Sequence, residues 1–264
     1  MLLKNIETQD MERFRDYLID DGLSASSVRQ AQLAVKQVLE WATRRGLMQR
    51  VPIIESVVGR AKERGILTPE EVKSLFRLPS WSKTHLAINM LAYSTGMRLG
   101  EILALRRSAF HATEGYIDVD SSWDRMTKSV KSTKTRKARF VPIPTSVQML
   151  LRELLAANPD LEDDDFVFPG RKPRQPLDRK MVERVLFKML AEIGIDEASR
   201  IERNITFHSA RHFFNSLLVN RGVPDLKVKA LTGHTTDAMT NHYYHVDDLK
   251  DVAEPGESLF PKAG

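Results

Sequence analysis

The side chains with the most chemistry in them fall between Thr206 and Val246. They are Thr206-Phe207-His208-Ser209-Ala210-Arg211-His212, then Gly233-His234, then Asn241-His242-Tyr243-Tyr244-His245. Imidazoles, a guanidinium and phenols share roughly one supersecondary unit, with no cysteine in the chain and no acidic metal cluster nearby. Such a set suits a phosphodiester better than an ester, a sugar or a metal. Arginine holds non-bridging phosphate oxygens through a two-pronged fork. Histidine can donate to the same phosphate and move protons near neutral pH. A phenol is a competent nucleophile only if its neighbours lower a pKa that sits near ~10 when unperturbed.

Two further stretches bring matching chemistry. Thr95-Gly96-Met97-Arg98-Leu99-Gly100-Glu101-Ile102-Leu103-Ala104-Leu105 is a glycine turn running into an apolar helix, with Arg98 at its mouth. Thr133-Lys134-Thr135-Arg136-Lys137 precedes an alternating strand, Arg139-Phe140-Val141-Pro142-Ile143-Pro144. Taken singly these are weak signals: Arg98 also reads as a helix cap, His208 as a core histidine and Tyr243 as a packing aromatic.

The elements that must position these groups are mostly helices. Residues 1–60 read as helical and charged: Met11, Phe14 and Leu18 share a face, and Asp21-Gly22 ends that element. Ser24 then precedes a longer pattern with Val28, Ala31, Val35, Val38, Leu39 and Ala42 on one side. Arg29, Gln32, Lys36 and Arg44 occupy the other, which reads either as a solvated face or as a face for a DNA groove. From Pro52 to Gly65 the periodicity fades into a basic linker carrying Arg60, Lys62 and Arg64. Leu67-Thr68-Pro69-Glu70-Glu71 opens a second domain: a threonine cap, proline in the first helical position, glutamate three residues after the cap. Helices are expected through Trp81–Ser94, Leu99–Arg106 and Arg179–Ile193, and another capped by Thr145. Gly115–Val119 and Arg139–Ile143 alternate as strands. Between them, Ser121–Ala138 reads as a hairpin carrying Arg125, Lys128, Lys131, Lys134, Arg136 and Lys137 against a single acid, Asp124, a charge suited to phosphate.

Bulk properties agree. The 264 residues suffice for one large domain or two modest ones, and 42% hydrophobic with 28% charged content places the chain among globular proteins. A formal charge of +5 favours an anionic partner without demanding one. The absence of cysteine excludes disulfides, thiolate metal sites and thiol catalysis. No apolar run approaches the ~18 residues that span a bilayer, and Met-Leu-Leu-Lys does not read as a signal peptide, so a cytoplasmic protein is expected.

In the order Arg98, Lys134, His208-x-x-Arg211, Gly233-His234, Tyr243, the chain resembles the tyrosine recombinase, or phage integrase, family, over about Leu67 to Val246. The resemblance implies a mainly α fold with a small antiparallel β-sheet (α+β). Residues 1–60 would be a helical core-type DNA-binding domain lacking its first helix, with no arm-type domain before it. Residues 61–246 would be the catalytic domain, and 247–264 a tail that docks on a neighbouring protomer or, equally open from the sequence, folds onto its own chain or stays a flexible end. The implied activity is site-specific recombination of DNA through a 3′-phosphotyrosyl intermediate. Arg98 and Arg211 would clamp the scissile phosphate, Lys134 would protonate the departing 5′ oxygen, and His208 would act as acid and base. His234 would donate to a phosphate oxygen, Tyr243 would attack, and Glu101 would orient the site. Tyr244 remains an alternative nucleophile, and Lys131 or Lys137 alternatives to Lys134, although spacing favours Tyr243 and Lys134. Ala210 and Thr232, where the family often has leucine, read as packing changes.

The resemblance implies no cofactor and no metal. Expected DNA contacts are Arg29, Lys36, Arg44, Arg60, Lys62, Lys131, Arg136 and Lys137. The expected partners are double-stranded DNA containing a recombination site, three further copies forming a tetramer on DNA from a monomer in solution, and accessory DNA-bending or directionality proteins. No membrane is involved, and the protein is expected at the nucleoid when bound to DNA. Two rival readings remain at this stage: a type IB topoisomerase or resolvase with the same chemistry, and a non-catalytic DNA-binding accessory factor.

Overall fold

A computed structural model describes residues 3–59, 64–132, 139–172, 174–233 and 253–260. The chain forms two compact units, Met1–Glu63 and Arg64–Gly264. None of its described helices is long and apolar enough to cross a membrane.

In the first unit, α1 (Thr8–Asp20) packs on α2 (Ala25–Arg44). Ser24 caps α2 by accepting from the Ser27 N–H at 3.2 Å. Met11, Leu39, Ala42 and Met48 form the buried centre, with Phe14, Val35, Val51 and Ile54 packed around it. The expected division of α2 into an apolar and a basic side needs correcting: Gln32 is buried, whereas Val38 is exposed. The cause is the stretch after α2, which is no free linker as far as Gly59. It runs back along the helix outside any strand, so its carbonyls are met by side chains. Gln32 Nε2 donates to the Glu55 carbonyl (2.9 Å), and Arg29 Nη1 to those of Val57 (2.9 Å) and Gly59 (3.2 Å).

The second unit is built around α4 (Lys83–Thr95), whose residues from Ala87 to Thr95 are all buried. A helix this apolar on every side belongs at a core. α3 (Pro69–Phe76) starts with the anticipated reciprocal cap between Thr68 and Glu71. α5 (Leu99–Leu103), α6 (Thr145–Ala156), α7 (Arg179–Glu192) and α9 (Ser209–Asn220) pack against α4, with α8 (Glu197–Glu202) leading into α9. α10 (Asp225–Thr232) packs on α9.

The sheet content is small and antiparallel. Strands β1 (Phe110–His111), β2 (Tyr116–Val119) and β5 (Arg139–Pro142) lie in the order β1-β2-β5, with Ile117 opposite Val141 and Val119 opposite Arg139. The basic segment between β2 and β5 holds a two-stranded sheet of its own, β3 (Ser121–Asp124) and β4 (Ser129–Ser132), with Asp124 opposite Ser129.

Several expected element ends shift, three of them for reasons visible in the local contacts. α4 begins at Lys83, because Ser82 rather than Trp81 makes the start. α5 stops at Leu103, because the Leu105 carbonyl instead accepts from the Val167 N–H at 2.9 Å. Thr145 does not cap α6 but is its first residue; a carboxylate from the C-terminal segment, Glu257, takes the Ser146 N–H at 3.3 Å.

Of the two arrangements open for that segment, the single chain has it docked on its own core. Helix Ala253–Glu257 packs on α4 of its own chain, and Leu259 and Phe260 are buried in the same core. The Phe260 ring meets Phe76 edge-on, with centroids 5.0 Å apart.

Candidate active site

Four short segments converge at the end of α4. Gly96 terminates that helix with a left-handed backbone (φ 65°), and a Cβ there would lie 2.7 Å from Phe214 Cδ1 and 3.3 Å from Thr232 Cγ2. Only glycine meets both constraints, and the turn it makes delivers Arg98 to the mouth of α5. Arg98 donates its backbone N–H to Glu101 Oε2 and its Nη1 to Oε1, both at 2.9 Å. The Arg98 side chain stays 42% exposed.

Glu101 is buried with its charge intact. Burial alone would raise its pKa, but the charges and hydrogen bonds of Arg139 and Arg98 outweigh that and hold it below the ordinary carboxylate value. Arg139 reaches the same carboxylate from β5, Nη1 to Oε1 at 3.2 Å and Nη2 to Oε2 at 2.6 Å.

Arg211, on the first turn of α9, is buried and anchored by backbone: its Nη1 donates to the Gly96 carbonyl at 2.9 Å and its Nη2 to the Thr232 carbonyl. Burial, then the neighbouring Arg98 charge, lowers its pKa to about 10, so it remains cationic at neutral pH. His208 stands at the start of α9, its ring edge-on to His212 with centroids 5.1 Å apart. Burial first, then the charges of His212, Arg64, Arg211 and Arg98, push His208 down to about 4. At neutral pH its imidazole is therefore uncharged and has a lone pair to accept a proton.

Arg98, Glu101, His208 and Arg211 are thus brought together. Lys134, His234 and Tyr243, with Arg60, Lys62, Arg136, Lys137 and Tyr244, lie outside the described residues. The described flanks of two of them reach the cluster. Arg139 follows residues 133–138, and Gly233, beside His234, has its ideal Cβ position 3.1 Å from Arg139 Nη1. Of the other expected DNA contacts, Lys36 and Arg44 are exposed, Lys36 lying 3.9 Å from Glu40. Arg29 is turned to the carbonyls of its own unit, and Lys131 to Asp124.

Two residues escaped sequence reasoning. Arg139 had a visible sign, a cation opening an otherwise apolar strand. Arg203 had none: its guanidinium holds Glu71 at 2.7 and 2.8 Å, tying α3 to the turn after α8.

Guanidiniums held on carbonyls and on one buried carboxylate, with a neutral imidazole alongside, are groups able to hold a phosphate and move a proton beside it. The chain belongs to the phage integrase family, whose model matches residues 66–250. Among curated proteins it is similar to tyrosine recombinase XerD of Halalkalibacterium halodurans, 25% identical over 261 residues that cover 94% of this chain and 81% of the relative. A tyrosine recombinase of Thermosipho africanus is 28% identical over 258 residues, covering 93% and 82%. Among solved structures, the Tn1549 transposon integrase in complex with a circular intermediate DNA superposes with a TM-score of 0.75 at 17% identity, covering 95% of this chain and 85% of that one. A lambda integrase dimer bound to a COC′ core site gives 0.67 at 18%, covering 96% and 82%. At such identities the structural likeness speaks to the fold, which is the expected mainly α, α+β arrangement.

Proposed function

We propose that six side chains carry the strand transfer of this site-specific DNA recombinase. The Tyr243 phenolic oxygen attacks the scissile phosphorus and His208 takes the phenol proton. A 3′-phosphotyrosyl bond forms as the bond from phosphorus to the 5′ oxygen breaks, and Lys134 gives that oxygen its proton. Arg98, Arg211 and His234 hold the non-bridging oxygens and stabilise the pentacoordinate transition state. Attack by a new 5′ hydroxyl reverses each step, so the phosphotyrosyl link conserves the bond energy and no nucleotide is consumed.

One observation carries this reading. The Gly96 carbonyl anchors Arg211, and two residues further on Arg98 is braced by Glu101 while its side chain stays 42% exposed. The relatives, named tyrosine recombinases, favour recombination over relaxation of supercoils or a non-catalytic role. DNA is the partner. Residues 1–60 act as a core-site DNA-binding domain, four protomers assemble on two sites, and accessory proteins that bend DNA set direction.

The experiment begins by recovering covalently attached DNA fragments from cells and building a nicked site from them. The protein should trap a covalent adduct on that site, Tyr243→Phe should abolish the adduct and Tyr244→Phe should retain it. The reverse pattern would move the nucleophile to Tyr244, and no adduct from the unaltered protein would refute the reading.

A further inference from the structure

We propose that Arg139 is a positioning residue for strand transfer, which neutralises Glu101 so that Arg98 keeps its charge for the scissile phosphate. The inference rests on the recombinase reading above. Glu101 has a side chain only 4% exposed and uses both oxygens on Arg98. Left to themselves the two would form a neutral pair, and the phosphate would meet little net field from Arg98.

Arg139 changes that balance. Its side chain is 14% exposed and its fork spans both Glu101 oxygens, while Nε donates to the Leu231 carbonyl at 2.9 Å. With Arg211 alongside, three guanidiniums face one carboxylate, a net two positive charges. Without Arg139 the cluster keeps a net one. A pentacoordinate phosphorane carries more negative charge than the diester it forms from, so the loss falls on the transition state more than on DNA binding.

Position reinforces the argument. Arg139 opens β5 directly after the segment holding Lys134, and it is joined to α10 just ahead of His234. One side chain therefore bonds to the carboxylate that orients Arg98 and to the backbone preceding a second phosphate donor. An ordinary structural ion pair would also show this geometry, so the test must separate charge balance from scaffold.

The readout is the single-turnover rate of covalent adduct formation on a nicked site, with DNA affinity measured alongside. Arg139→Gln should slow cleavage roughly 10–100-fold, the scale of a misplaced catalytic group, while changing affinity less than about threefold. Glu101→Gln combined with Arg139→Gln restores the net two positive charges and should recover a large part of the lost rate. A double variant no faster than Arg139→Gln, or an Arg139→Gln protein as fast as the parent, would overturn the proposal. Should Arg139→Gln fail to fold, Arg139→Lys decides, since it keeps the charge and loses the fork. Cleavage within about tenfold of the parent supports the charge role, and a larger loss with DNA affinity intact overturns it. A parent protein that forms no adduct would instead refute the recombinase reading.

Discussion

His208 is held uncharged by its surroundings, and this has a consequence for stability that can be measured without DNA. Its pKa is about 4 in the folded protein against 6.5 for an ordinary histidine, so between those values the unfolded chain binds more protons. Stability therefore falls as pH drops from about 6.5 towards 4 and changes no further from this source below that. His212, lowered by burial and by Arg64 and Arg211, acts in the same sense. Urea midpoints taken across that range should show a shallower pH slope for His208→Gln than for the parent. Equal slopes would mean that the imidazole is solvated. At this scale the sequence displayed the residue types, while the pKa shifts came first from burial and then from charges both near in the chain, as His212 and Arg211, and distant: Arg64 and Arg98 lie more than a hundred residues before His208.

Gly100 shows how elements set one another's limits. Inside a helix, alanine in place of glycine normally stabilises by about 1 kcal/mol. Here a Cβ would lie 2.6 Å from Ser122 Oγ and 3.0 Å from the Trp123 carbonyl, because β3 lies directly on α5. Overpacking of that kind costs about 1–3 kcal/mol, so Gly100→Ala should lower stability despite the better helix propensity. A raised denaturation midpoint would show that the hairpin does not press on α5. Helix starts were legible at Ser24 and Thr68, where a side chain makes the cap, although the Ser82 cap of α4 was not. They were misread where the partner comes from afar, as with Glu257 on the Ser146 N–H. The face of α2 failed for the same reason: periodicity cannot announce that a returning strap will cover Gln32 and leave Val38 outside.

For the molecule as a whole, the C-terminal segment is where the sequence leaves two arrangements open. Leu259 and Phe260 complete the core of their own chain, and Gly256 approaches so closely that a Cβ would lie 2.8 Å from Ser94 Cβ. Phe260→Ala should then destabilise the protein by about 3 kcal/mol, the usual scale for emptying an aromatic site in a core. The loss should be the same at all protein concentrations, as read by heat or urea unfolding. A loss that grows with concentration would show the segment docking on a second copy instead.

What the sequence determined by itself was chemical identity and order. Arginine, lysine, histidine pair and tyrosine succeed one another at spacings that bind few other reactions, and local caps and periodicities need only near neighbours to be read. Tertiary structure alone decided which charges share a carboxylate, which imidazole stays neutral and where the last apolar residues settle. Electrostatics and packing depend on distance in space, and contacts such as Arg139 to Glu101 and Phe260 to Phe76 join residues that the linear chain keeps far apart.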